Sequence, residues 1–270
     1  MKNAKIICLV AAALVTFVSE AWTYGRTSTN GSVRVALIAE GCLDNGMVVT
    51  RRTVTDAVSA AGFVPLVLPN IADTNQVEAI LDRVDALVVF GALNKQNYRR
   101  RSAFELPLIR RAAARNIPVV GFCHGHQQIN RAFGGEVSRN PTNVAVKVVH
   151  HGKENPYVKD CFHEVTVKPG TLLAKTLGEG RQIVNSSHDF SISKLADGFT
   201  ATATSDDGVI EAIEHRTLPV YGFQFHPERI ASVRHDPRFV KIVKAALEGG
   251  REFALPQKVQ KQAERPVSVR

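Results

Sequence analysis

At 270 residues the chain is somewhat longer than one average domain, a length that α/β folds commonly use for a single unit. Thirty-four Lys and Arg against 25 Asp and Glu leave a net charge of +9. The basic residues are scattered, apart from Arg99-Arg100-Arg101, Arg110-Arg111 and the carboxy-terminal tail. That dispersal argues against a nucleic-acid-binding element, in which Lys and Arg gather beside aromatic rings, and leaves attraction to acidic substrates or a negative surface.

Residues 1–21 carry Lys2 and Lys5, then an apolar run over 6–18, then the small residues Ser19 and Ala21 around Glu20. This is the layout of a secretory signal peptide. The 13-residue run falls short of the roughly 20 residues that cross a bilayer. The expectation is cleavage near Ala21, export to the periplasm of a Gram-negative cell or to the medium otherwise, and no membrane anchor afterwards. Without Lys2, Lys5 and Glu20 the charge is +8. Three cysteines then remain, Cys42, Cys123 and Cys161, so at least one is a free thiol or pairs with another chain. Cys42 and Cys161 read as buried inert thiols, with a mutual disulfide as the alternative.

Residues 22–32 form a polar, flexible lead-in. From 33 on, short β-branched runs alternate with helical spacing: strand 33–38, helix 53–61, strand 64–68, helix 75–81, strand 86–90, helix 103–115, strand 118–122. Such alternation predicts a parallel sheet with crossover helices on its faces. Past Phe133-Gly134-Gly135 the rhythm becomes one of short extended segments at 144–149, 163–167, 200–204, 209–214 and 220–224, which reads as hairpins and added strands. A last amphipathic helix spans 237–247. The domain is therefore expected over 33–248, followed by a basic tail over 249–270 that resembles a solvated, disordered segment.

Gly121-Phe122-Cys123-His124-Gly125 follows an apolar strand and opens a helix. A G-x-nucleophile-x-G pentapeptide in that context is a nucleophile elbow, whose small flanking residues let the chain turn sharply under an exposed side chain. The helix N-terminus then favours a thiolate and supplies free N–H groups for an oxyanion. A thiol nucleophile needs a base, and the base an orienting partner. His226-Pro227-Glu228 supplies both at the end of another apolar strand, where ligands collect in open α/β sheets. The histidines at 124, 126, 150, 151 and 163 match no familiar zinc spacing, and a metal-bound thiolate could not attack a substrate, so no metal site is expected.

Those segments, with Gln127, Asn130, Val184-Asn185-Ser186-Ser187-His188 and Asp207-Gly208-Val209-Ile210-Glu211-Ala212-Ile213, resemble the peptidase C26 branch of the class I glutamine amidotransferase superfamily over about 33–247. This branch includes the bacterial γ-glutamyl-γ-aminobutyrate hydrolases. The resemblance implies a flavodoxin-like three-layer sandwich, with a mostly parallel central sheet and added antiparallel strands. It also implies a Cys123, His226, Glu228 triad that cuts γ-glutamyl amides through a thioester, without a cofactor. The oxyanion would sit on backbone N–H groups of His124 and of the loop at Gly91. Gln127, Asn185, Ser186 and His188 would bind the substrate's amino-acid end.

The sequence departs from the family at Phe90-Gly91-Ala92 in place of Pro-Gly-Gly, at His124 in place of Arg, and at Asp189-Phe190 in place of His-Gln. Each departure is expected to face substrate. The partner is thus a small γ-glutamyl molecule and not a nucleic acid, and a homodimer is compatible with the sequence. Two other readings are a non-catalytic or weakened binding protein on the same fold, and a glutaminase subunit feeding ammonia to a synthetase.

Overall fold

The computed structural model describes residues 33–42, 47–69, 74–92, 98–139, 161–229 and 237–254. The expected leader and lead-in, the strand at 144–149 and the tail beyond 254 lie outside the described residues, as do the side chains of Cys42 and Cys161.

The first half follows the predicted alternation: β1 (Arg34–Ile38), α1 (Arg52–Ala60), β4 (Val64–Leu68), α2 (Val77–Leu81), β5 (Ala86–Val89), α3 (Tyr98–Ala114), β6 (Val119–Phe122) and α4 (His124–Ala132). A small ladder of β2 (Gly41–Cys42) and β3 (Val48–Val49) sits between β1 and α1. The second half holds β7 (Glu136–Arg139), β8 (Cys161–Val167), α5 (Leu172–Leu177), β9 (Gly180–Ser186), β10 (Phe190–Lys194), β11 (Phe199–Ser205), β12 (Ile210–His215), β13 (Val220–Phe223) and α6 (Arg238–Ala254). The last helix runs past Gly249-Gly250, farther than its apolar pattern suggests.

One nine-stranded sheet has the order β4-β1-β5-β6-β13-β12-β11-β8-β9. The first five strands are mutually parallel and the rest antiparallel. Strands β5, β6 and β13 are buried along their whole length, which is why they read as unbroken apolar runs. Successive residues of β1 serve opposite faces: Val35 and Leu37 pack in a core with α1 and α6, while Ala36 and Ile38 join α2, α3 and α4. The result is a three-layer sandwich.

After β1 the chain goes first to β4 on one side and then to β5 and β6 on the other, so the carboxyl ends of β1, β5 and β6 border a topological switch point. The residues that lead into three of the site loops are aromatic and locked together. Phe90 stacks on Phe122 at 5.5 Å, Phe122 on Phe223 at 5.7 Å, and Phe239 of α6 covers both Phe90 and Phe122. Loops that leave so rigid a base begin from fixed points.

Candidate active site

Cys123 stands between β6 and α4 with φ 52° and ψ −102°, a region a side chain enters only under constraint. Among the described residues, Asn116 is the other non-glycine with positive φ. The flanking glycines are sterically required. A Cβ at Gly121 would lie 2.5 Å from the Gly125 carbonyl carbon, and one at Gly125 would lie 2.0 Å from the Val89 oxygen. The helix α4 therefore rides directly on the end of β5.

The Cys123 N–H donates to Phe223 O at 2.7 Å, continuing the register that sets Phe122 beside Phe223. Three residues past Phe223 the chain reaches His226, so one strand pairing brings together side chains a hundred positions apart. His226 Nδ1 donates to Glu228 Oε1 at 2.7 Å, and both side chains are buried. Among the described residues His226 Nε2 makes no aligned hydrogen bond, which leaves it for the sulfur. Burial works to lower the His226 pKa, but Cys123 first and the Glu228 carboxylate second outweigh it and raise it to about 9. Burial likewise opposes the Glu228 charge, and His226 overrides it to hold the carboxyl below its usual pKa. The arrangement sets the Cys123 sulfur beside an imidazole that is held protonated more firmly than usual and oriented by a carboxylate.

Across from His226 lies the loop after β5. A Cβ at Gly91 would come within 3.1 Å of His226 Cε1, so this glycine gives the imidazole its room. Ala92 has no positive φ, and the missing second glycine of the family pattern carries no backbone strain. The loop is clamped from below by Arg101 of α3, a fully buried guanidinium. Its Nη1 donates to Glu40 O at 2.8 Å and Gly91 O at 3.2 Å, and its Nη2 to Phe90 O at 3.3 Å. In a trans peptide C=O and N–H point oppositely. Holding the Phe90 and Gly91 carbonyls toward Arg101 therefore turns the N–H groups of Gly91 and Ala92 the other way.

Arg101 also forms a buried ion pair with Glu105 Oε1 through Nε at 2.9 Å and Nη2 at 2.6 Å. The second Glu105 oxygen accepts from His124 Nε2 at 2.7 Å and Gln128 Nε2 at 3.0 Å. Burial opposes the Glu105 charge, yet His124 and Arg101 hold its pKa well below the usual carboxylate range. The expectation that the His124 side chain faces substrate is corrected: its ring is buried against Glu105 of α3, so a role at an oxyanion falls to its backbone N–H, at the first turn of α4. Phe90, likewise expected to face substrate, is buried in the aromatic stack. From the sequence Arg101 stood out only as one of the run Arg99-Arg100-Arg101, yet Arg101, Glu105, Leu108 and Ala112 are all buried along one face of α3, and that stripe was the available signal.

On the β13 side the expected substrate residues are buried and tie loops together. Gln127 Nε2 donates to Phe190 O at 2.8 Å and Gln224 Oε1 at 3.2 Å, while Asn185 Nδ2 donates to His226 O at 2.7 Å. Ser186 is fully buried at the end of β9. His188 places Nδ1 3.0 Å from Phe190 O and Nε2 3.5 Å from Glu211 Oε1, and His163 Nε2 lies 3.6 Å from the same oxygen. His126 is buried against β13, and burial lowers its pKa to about 4. Among the described residues no group of three or more His, Cys, Asp or Glu is arranged to hold a metal ion. Asp189 is exposed, and Phe190 is 39% exposed.

The sequence matches the family model of Peptidase C26 over residues 36–228. The chain belongs to the peptidase C26 family. Within the class I glutamine amidotransferase superfamily it is 31% identical over 200 residues to Protein NtpR of Enterococcus hirae, covering 68% of this chain and 83% of that protein. It is 28% identical over 187 residues to one subunit of the glutamine-hydrolyzing GMP synthase of Methanocaldococcus jannaschii, covering 69% and 86%. A crystal structure from Thermoplasma acidophilum, named for a GMP synthase subunit, superposes with a TM-score of 0.60 at 22% identity, covering 85% of this chain and 98% of that one, a likeness of fold. This C26 member is thus a class I glutamine amidotransferase-like hydrolase by family and fold.

Proposed function

We propose that this protein is an exported cysteine hydrolase that cleaves γ-glutamyl amide or peptide bonds. The observation that carries the reading is the strained Cys123 beside a buried His226 whose Nδ1 is held 2.7 Å from Glu228. In the proposed reaction the Cys123 sulfur bonds to the γ-carbonyl carbon, and the carbonyl electron pair moves to oxygen, facing the N–H groups of His124, Gly91 and Ala92. His226 gives its Nε2 proton to the leaving nitrogen as the C–N bond breaks, leaving a γ-glutamyl thioester. Water then adds to the thioester, His226 takes its proton, and the thiolate departs as glutamate is released. Glu228 keeps the imidazole oriented throughout.

The purified protein should release p-nitroaniline from γ-glutamyl-p-nitroanilide, and Cys123→Ala should abolish release. Equal rates in both proteins would remove Cys123 from the chemistry. Export rests on residues 1–21 and is tested by N-terminal sequencing of the secreted chain, which should start near Trp22; an intact Met1 in the cytosol would overturn it. A second reading, glutaminase of an ammonia-using synthetase, is favoured by the relative named for GMP synthase. It requires hydrolysis of free glutamine that rises when an ATP-using partner is added, where the first reading requires none.

A further inference from the structure

Beside the triad, and used by none of the steps above, stands an ion pair. Glu40 follows β1 and is completely buried; Arg51 precedes α1 with its side chain 29% exposed. Arg51 Nε donates to Glu40 Oε1 at 2.8 Å, its Nη2 donates to the same oxygen, and its backbone N–H donates to Glu40 Oε2 at 2.7 Å. The Glu40 carbonyl is in turn held by Arg101 at 2.8 Å. A guanidinium fixed in this way has little rotamer freedom left to lose on binding a ligand.

Its position is at the reacting centre. The point a Cβ would occupy on Gly91 is 3.7 Å from Arg51 Nη2 and 3.1 Å from His226 Cε1. Burial works against the Arg51 charge, and Glu40 first, then Glu228 and Cys123, outweigh it, so two triad members feel the guanidinium. The side-on edge, Nε with Nη2, is spent on Glu40. The end-on edge remains: Nη1 makes no hydrogen bond among the described residues. A structural ion pair does not require a partly exposed guanidinium beside a nucleophile. A carboxylate is the group that such an edge fits in two parallel hydrogen bonds.

We infer that Arg51 is the specificity residue of this site and binds a carboxylate of the substrate close to the scissile bond. The inference rests on the γ-glutamyl hydrolase reading. The carboxylate has two sources, the α-carboxylate of the glutamyl group or one on the departing amine. The sheet order sets Arg51 on the β1 side of Cys123, opposite Gln127 and Asn185.

The test compares kcat/KM of wild type and Arg51→Gln on γ-glutamylglycine, on γ-glutamylglycinamide, and on γ-glutamylglycine with its α-carboxylate amidated. Because Arg51→Gln strands Glu40 in the interior, the double variant Arg51→Gln/Glu40→Gln, which removes both charges, is measured alongside. On γ-glutamylglycine both variants should lose about 10- to 100-fold, the weight of a charge-assisted hydrogen-bond pair. The loss should shrink to within about 3-fold on whichever amidated substrate lacks the recognised carboxylate, and that arm names the source. An equal loss on all three substrates, or no loss on any, overturns the inference. If wild type turns over none of them the hydrolase reading fails instead. Arg51 is then judged by calorimetric binding of γ-glutamylglycine to Cys123→Ala, where an unchanged Kd on adding Arg51→Gln overturns it.

Discussion

Replacing Arg101 by Lys separates the stability of the site from its chemistry. The arginine makes five hydrogen bonds in the interior, two to Glu105 and three to the carbonyls of Glu40, Phe90 and Gly91. A lysine keeps the charge that Glu105 requires, but its three donors radiate from one point and cannot also span the carbonyls. With the buried ion pair retained, about two to three hydrogen bonds are lost, a folding cost of roughly 1–4 kcal/mol at 0.5–1.5 each. The larger effect is on the oxyanion. Once the Phe90 and Gly91 carbonyls are released, the Gly91 and Ala92 N–H groups lose their fixed aim, and loss of one such donor costs about 10²–10³ in rate. The assay pairs single-turnover release of p-nitroaniline with alkylation of Cys123 by iodoacetamide, a displacement at saturated carbon that forms no oxyanion. Acylation should fall about 100-fold while alkylation stays within about 2-fold. If both fall together, the lysine has displaced the triad; if neither falls, the carbonyl clamp has no role, and either result refutes the reasoning.

His226 makes folding stability depend on pH. Its raised pKa contributes stability that is complete below the ordinary value of 6.5 and is lost as pH rises through about 9, while the lowered Glu228 pKa contributes above 4.5 and is lost as pH falls. Cys123→Ala removes the largest influence raising His226, so an NMR titration of the ring should show its pKa falling toward 6.5; an unmoved value would contradict the coupling of His226 to the Cys123 sulfur. Gly125→Ala sets a methyl 2.0 Å from the Val89 oxygen, and α4 must lift off β5 to admit it. A loss above about 3 kcal/mol in urea unfolding is expected, and wild-type stability would show that the elbow tolerates a wider helix–strand gap.

The strands at the centre of the sheet were legible because burial on both faces leaves them no polar positions, as in Ala86–Val89 and Val119–Phe122. The elbow around Cys123 was legible for a related reason: the collisions that a Cβ would meet at Gly121 and Gly125 restrict those positions to glycine. Less could be read where an element has only one covered face. The edge strand Gly180–Ser186 contains just two adjacent apolar residues, Ile183 exposed and Val184 buried, too few for a period. The helix expected from 103 begins at Tyr98, because the three consecutive arginines Arg99-Arg100-Arg101 show no apolar period that would announce its first turns.

By itself the sequence determined the alternation of strands and helices, the elbow, and the pairing of a cysteine with a His-Pro-Glu turn. The alternation and the elbow are local in origin, set by periodicity and by steric limits within a few residues, whereas the cysteine and its turn, 103 positions apart, were matched by the family resemblance of their motifs. Only the tertiary structure decided which charges are interior. Arg101 meets the Glu40 carbonyl across 61 positions of chain, and His124 meets Glu105 across 19. It was also the fold that turned the His124 side chain away from the pocket, kept Gly91 as the glycine that matters, and set Arg51 beside the triad. Burial makes an unpaired charge costly, so each of these residues takes its role from a distant partner that no local pattern announces.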